Sequence, residues 1–409
     1  MRSIQWPTFA ALLIATSSLV SAQKLKLNDK TQPRTAPINC PYTQGNPELL
    51  AAAGIVSLGG FEFANDDNTA KIDAFLSSNA IYWAETEHFE IGFALGSIKV
   101  TPKEKKKILS ELTLLQTKLP TVKPTAKILD PRLRLYLYCQ RLEQAYDQFL
   151  QLVDKTHDDF PSGEEQWLMG QVYRGQGPYL GETGKYEVLV LPNEGSSKAF
   201  LNKQFGLNIK LSQRYNVVDK GTLIFVVHTM QGGLKVDEAL HGHLVFNSIV
   251  NFVDGYLYYA YDTPPWIHEG LAHWFERRIN PKYNTFDSSE GAVAEMTRKE
   301  NWEPPTRKLV ASDEAPSMAS LLAMRGYGEM KLDHHFTTWS MVDYLQREHP
   351  GFIGKLLDAI CGVKDERGLG DGSNVAEIHR LVFKDELGMS YMAFDRHWKT
   401  WVLENYSAR

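Results

Sequence analysis

Between residues 236 and 278 two helical patterns follow each other with only a short break. Each sets an acidic residue and a histidine four positions apart, Asp237 with His241 and Glu269 with His273. That spacing turns about 40° around a helix, so each pair occupies one face. In KVDEALHGHLVFNSIVNFVDGYLYY, Leu240, Leu244, Val245, Ile249 and Phe252 can share a core face, with Glu238 about 60° around from His241 and His243 about 200° away. In TPPWIHEGLAHWFERR the prolines suit a first helical turn, and Ile267, Leu271, Trp274 and Phe275 supply apolar contact. His268 and His273 are five apart, about 140°, so this stretch is not the usual H-E-x-x-H. The expectation is that the two helices lie together and their polar stripes enclose one pocket.

DEALH reads as H-E-x-x-H with Asp237 in place of the first His, and Pro264, Trp266, Glu269, Gly270, Leu271, Ala272 and Phe275 spell P-x-W-x-x-E-G-L-A-x-x-F. On these residues the chain resembles the gluzincin, or peptidase-MA-like, metallopeptidases. The resemblance implies Glu269 as third zinc ligand, His241 as second, Asp237 at the first-ligand position, and Glu238 as general base for a metal-activated water attacking a peptide bond. The acid and imidazole of the family pattern have traded places between 237 and 273. Three arrangements stay open: Asp237 binds metal and His273 orients it, His273 binds metal and Asp237 orients it, or the two form a metal-free ion pair stapling the helices. The functions expected are an exported zinc-dependent peptidase acting on peptides or proteins, or a catalytically inactive descendant serving as a binding or scaffolding module. A glycoside hydrolase using Glu238 and Glu269 would need a suitable carboxyl separation.

Around this core the expected fold class is α+β. A signal peptide is read over 1–22, with cleavage after Ala22, and a polar, partly flexible leader over 23–78. A strand and helical region is expected over 79–160, the core with both motif helices over 161–280, and a helical C-terminal subdomain over 281–409. KYEVLVLPN and GTLIFVVHT read as strands flanking the helical SSKAFLNKQFG; the second is the candidate sheet edge for substrate. Helices are expected from Pro102 to about Leu119, opened by Thr101 and Glu104, and from Pro131 to about Val153. Tyr327, His334 and His335 lie where an oxyanion-stabilising group would come from, whereas His228 reads as structural.

The remaining features mostly exclude. With 44 basic and 49 acidic residues the chain has no broad cationic surface for nucleic acid. No stretch after the signal is apolar enough to span a membrane. Cys40, Cys139 and Cys361 allow one disulfide at most. There is no G-x-S-x-G and no phosphate-binding glycine loop; RGLGDGSN (367–374) reads as a turn, and Glu85, Glu87 and His88 as residues of a half-exposed strand.

Overall fold

A computed structural model describes residues 40–65, 67–163, 172–258, 263–286, 300–324, 326–365 and 370–409. The signal segment lies outside them. The described chain opens with α1 (Pro47–Ala52), the short pair β1 (Glu62–Phe63) and β2 (Asp67–Asn68), and α2 (Thr69–Phe75). These elements are packed, with Phe63, Ala64 and Ile72 fully buried. The described part of the expected leader is therefore packed into the fold. Next come β3 (Tyr82–Glu85), β4 (Phe89–Phe93), β5 (Ile98–Lys99), α3 (Lys105–Lys118), β6 (Ile128–Leu129) and α4 (Pro131–Leu152). The start of α3 carries the chemistry read from the sequence, and the structure adds a cap to α4. Thr101 and Glu104 bond reciprocally ahead of α3, and Asp130 accepts from the backbone N–H of Arg132 and Leu133 at the start of α4.

The centre is formed by β7 (Tyr186–Leu191), α5 (Glu194–Phe205), β8 (Gln213–Val217), β9 (Thr222–His228), α6 (Asp237–Gly255) and α7 (Pro265–Ile279). The sheet order is β3-β4-β7-β9-β8, with β4, β7 and β9 parallel and both outer strands antiparallel to their neighbours. The architecture is α+β with a mixed sheet. β7 and β9 are buried at every residue, as strands covered on both faces must be. Alternate residues feed two cores: Val188, Val190, Phe225 and Val227 face α4 and α6, while Leu189, Leu191, Ile224 and Val226 meet Phe63, Ile72 and Phe200. GTLIFVVHT is therefore an inner strand. The edge beside it is β8, a polar segment whose hydrophobic signal is too weak to show in the sequence.

The C-terminal part is helical: α8 (Glu303–Ala311), α9 (Met318–Leu322), α10 (Leu332–Glu348), α11 (Phe352–Cys361), α12 (Val375–Leu387) and α13 (Tyr391–Asn405). The closing aromatics clamp α10: Trp398 donates to Ser340 Oγ at 3.0 Å, Trp401 to Glu348 at 2.9 Å, and Tyr406 to Asp343 at 3.1 Å. All three cysteines are buried and free. Among the described residues no helix is long and apolar enough to cross a membrane.

A buried acid ties the N-terminal elements to the sheet. Glu187 on β7 accepts from the Ala64 N–H at 2.8 Å, and burial, with Glu90 nearby, pushes its carboxyl up to about 8. Because the folded value lies above the unfolded one, near 4.3, the stability Glu187 contributes is present in acid and falls as pH rises through about 4.5 to 8. Glu187→Gln keeps an acceptor for Ala64 but cannot ionise. It is expected to melt higher than wild type at pH 9 and to flatten the melting profile between pH 5 and 9.

Candidate functional site

α7 is buried on nearly all sides, between α6 and α10, and its polar residues therefore require partners inside the protein. Gly242 lets α6 approach: a Cβ there would lie 3.2 Å from Glu276 Cγ. Gly270 does the same for α10, where a Cβ would lie 2.8 Å from Thr338 O. Helices α6 and α7 run antiparallel. Their rungs are Asp254 with His268 at 2.7 Å, the Phe246 and His273 rings at 5.0 Å, and Glu238 with Asn280 at 2.5 Å. In that register Glu269 stands opposite α6 roughly ten to twelve residues beyond His241, about 15–18 Å along the axis.

The expected common pocket is thereby divided in two. At the start of α6, Asp237 sits in an ion cluster supplied by α4 and α3. Its Oδ2 accepts from Arg141 at 2.8 Å and its Oδ1 from Tyr138 at 2.9 Å, with Arg134 3.6 Å away. Arg141 also makes a two-pronged pair with Glu111, at 3.1 and 2.8 Å. Burial alone would raise the Asp237 carboxyl, but Arg141 and Arg134 hold it below the ordinary carboxylate value. The Lys107 Nζ donates to His241 Nδ1 at 3.1 Å. Burial, then Arg141 and Lys107, keep His241 neutral, far below the usual imidazole range. A dication between Asp237 and His241 would face Arg141, Arg134 and Lys107 at close range. Repulsion in a buried setting opposes it. The expected ligand set of Asp237, His241, Glu269 and His273 does not form, nor does the Asp237–His273 staple, because the arginines of α4 take the aspartate. Glu238, read as general base, accepts from Asn280 near the far end of α7 and is not beside Glu269.

Glu269 and His273 do come together, and α10 adds His335. Their ligating atoms form a triangle: Glu269 Oε2 to His273 Nε2 3.5 Å, Glu269 Oε2 to His335 Nδ1 3.5 Å, and His273 Nε2 to His335 Nδ1 3.0 Å. All three residues are buried, and neither oxygen of Glu269 receives a hydrogen bond. Phe246, Phe286 and Trp302 wall the His273 ring at 5.0, 5.4 and 4.8 Å. Burial first, then the neighbouring His335, drive His273 well below the imidazole value, against the pull of Glu269. Behind it, Glu276 Oε2 lies 3.5 Å from His273 Nδ1 and is anchored by the Thr285 hydroxyl and N–H at 2.5 and 2.9 Å.

The other candidates fall elsewhere. His243 bonds Ser212 and Thr285 at 3.0 Å each. His228 bonds the Lys210 carbonyl at 2.8 Å, a structural role as expected. His334 bonds the Lys331 N–H at the start of α10. A second convergence joins exposed Glu87 and His157 to buried His88, with His88 Nδ1 2.6 Å from Glu143 and Nε2 3.3 Å from His157. A cleft of about 600 Å3 opens at the start of α7, lined by Arg214 of β8, the Asp254–His268 pair, Pro264, Tyr327, Val375 and Ala376. Of RGLGDGSN only the second part, 370–374, is among the described residues.

His335 went unassigned as a ligand because no spacing rule links it to α7. Arg141 left a readable trace: LRLYLYCQRL puts two arginines seven apart among apolar residues, and buried guanidinium groups demand acids. No protein-family model matches this chain, and no curated protein matches it in sequence.

Proposed function

We propose that this protein is an exported, non-hydrolytic relative of the gluzincins, a binding module that retains the helix pair while its H-E-x-x-H position has become a structural ion cluster. The observation that carries the reading is Asp237, which stands where a first zinc ligand would be and is committed to Arg141 and Tyr138 at 2.8 and 2.9 Å. With His241 taken by Lys107 and Glu238 by Asn280, the motif has no metal-activated water to serve. The cleft at the start of α7 supplies a ligand site of the usual volume, and Arg214 joins it to the edge strand β8. An extended peptide paired along β8 with a side chain in the cleft fits both features.

The test is a peptide-library binding and cleavage assay on the full chain. Expected are binding without hydrolysis, an unchanged result for Glu238→Gln, and at least tenfold weaker binding for Ala376→Trp with an unchanged melting temperature. Peptide cleavage abolished by Glu238→Gln would overturn the reading. A second reading, zinc-dependent hydrolysis, is favoured by one observation: Glu269, His273 and His335 constitute the two-imidazole, one-carboxylate donor set of zinc peptidases. It requires chelator-sensitive cleavage that is lost in Glu269→Gln and kept in Glu238→Gln.

A further inference from the structure

We propose that Glu269, His273 and His335 form a closed structural site for one zinc ion that fastens α7 to α10. The first argument is electrostatic. Glu269 is wholly buried, both its oxygens lack hydrogen bonds, and imidazole nitrogens of His273 and His335 each lie 3.5 Å from its Oε2. Holding a carboxylate so deep without donors is costly, and a cation offsets that cost directly.

The second argument is geometric. A triangle with sides of 3.5, 3.5 and 3.0 Å has a point about 1.9 Å from each corner, and a point slightly out of its plane meets zinc's bond lengths of about 2.0–2.2 Å. A tetrahedral ion with such bonds separates its ligands by about 3.4 Å. Two nitrogens and one carboxylate oxygen suit zinc over the hard, oxygen-seeking cations.

The third is the outer support. Glu276, itself pinned by Thr285, faces the far nitrogen of His273 at 3.5 Å, the place from which a carboxylate orients a ligating imidazole. All three ligands are buried and aromatic rings pack around His273, which keeps the site from substrate and points to a structural ion whose fourth position is left to a water. The inference stands apart from the binding-module reading, because it concerns residues that reading does not use.

The experiment exposes the purified full chain to zinc, removes free metal by desalting, and measures metal content and melting temperature with and without chelator. Expected are about one zinc per chain, a lower melting temperature after chelation, and loss of metal in Glu269→Gln and His335→Ala. Metal should be retained in His241→Ala and in His88→Ala. Glu276→Gln is expected to weaken zinc about 10- to 100-fold. Cobalt substitution of the wild-type chain gives a readout independent of variant folding, expected as tetrahedral cobalt absorption; a folded His335→Cys chain should add a thiolate-to-cobalt charge-transfer band. No bound metal, metal that survives the loss of Glu269 and His335, or metal that depends on His88 or His241 would each overturn the proposal.

Discussion

Arg141→Met is expected to destabilise the protein by about 3–5 kcal/mol, the largest effect of any single substitution in the ion cluster. The guanidinium is 1% exposed and serves two carboxylates at once, Asp237 at 2.8 Å and Glu111 at 2.8 and 3.1 Å. Methionine fills much of the same volume, so the loss is not chiefly one of packing. It comes from leaving Asp237 buried with a single hydroxyl and the more distant Arg134 as partners. Adding Asp237→Asn to Arg141→Met should recover part of the loss, because the orphaned charge is then gone; the two substitutions are strongly non-additive. Urea unfolding of the wild type, both single variants and the double variant measures this. A wild-type midpoint for Arg141→Met would show that the cluster holds nothing together, and the conversion of the motif to structure would lose its basis. The same cluster sets an acid limit. Because Asp237 lies below its unfolded value, near 3.9, its contribution is present above that value and is lost as pH falls through the lower folded one.

Gly270→Ala is expected to cost about 1–3 kcal/mol, more than an average surface change and more than Gly242→Ala. At Gly270 a methyl would come within 2.8 Å of the Thr338 carbonyl oxygen and of Val342 Cγ2, so the backbone of α10 must retreat. At Gly242 the nearest atom is the Glu276 side chain at 3.2 Å, which can yield by a few tenths of an ångström. Retreat of α10 carries His335 away from Glu269, now 3.5 Å from it, so Gly270→Ala should weaken zinc as well as stability. Urea midpoints of the two glycine variants, with zinc titrations on each, check the ranking. Equal midpoints would mean that the α7–α10 contact is no tighter than the α6–α7 contact.

The amino-acid sequence by itself determined the local elements of this protein. Strands at 186–191 and 222–228, the helix between them, α3 with its cap, α4, and the two motif helices all follow from periodicity and end signals. These are short-range effects, confined to a few turns or a few residues. It also determined that Glu269 and His273 share a face, because four residues on one helix always do. Only the tertiary structure decided what each face meets. The register between α6 and α7 separates His241 from Glu269 by about three turns, and that offset is set by Gly242, Phe246 and Asp254 meeting Glu276, His273 and His268. α4 brings Arg141 to Asp237 across 96 residues of chain, and α10 brings His335 to His273 across 62. Such partners are chosen by long-range packing and charge neutralisation in a buried interior, and neither leaves a spacing rule in the sequence.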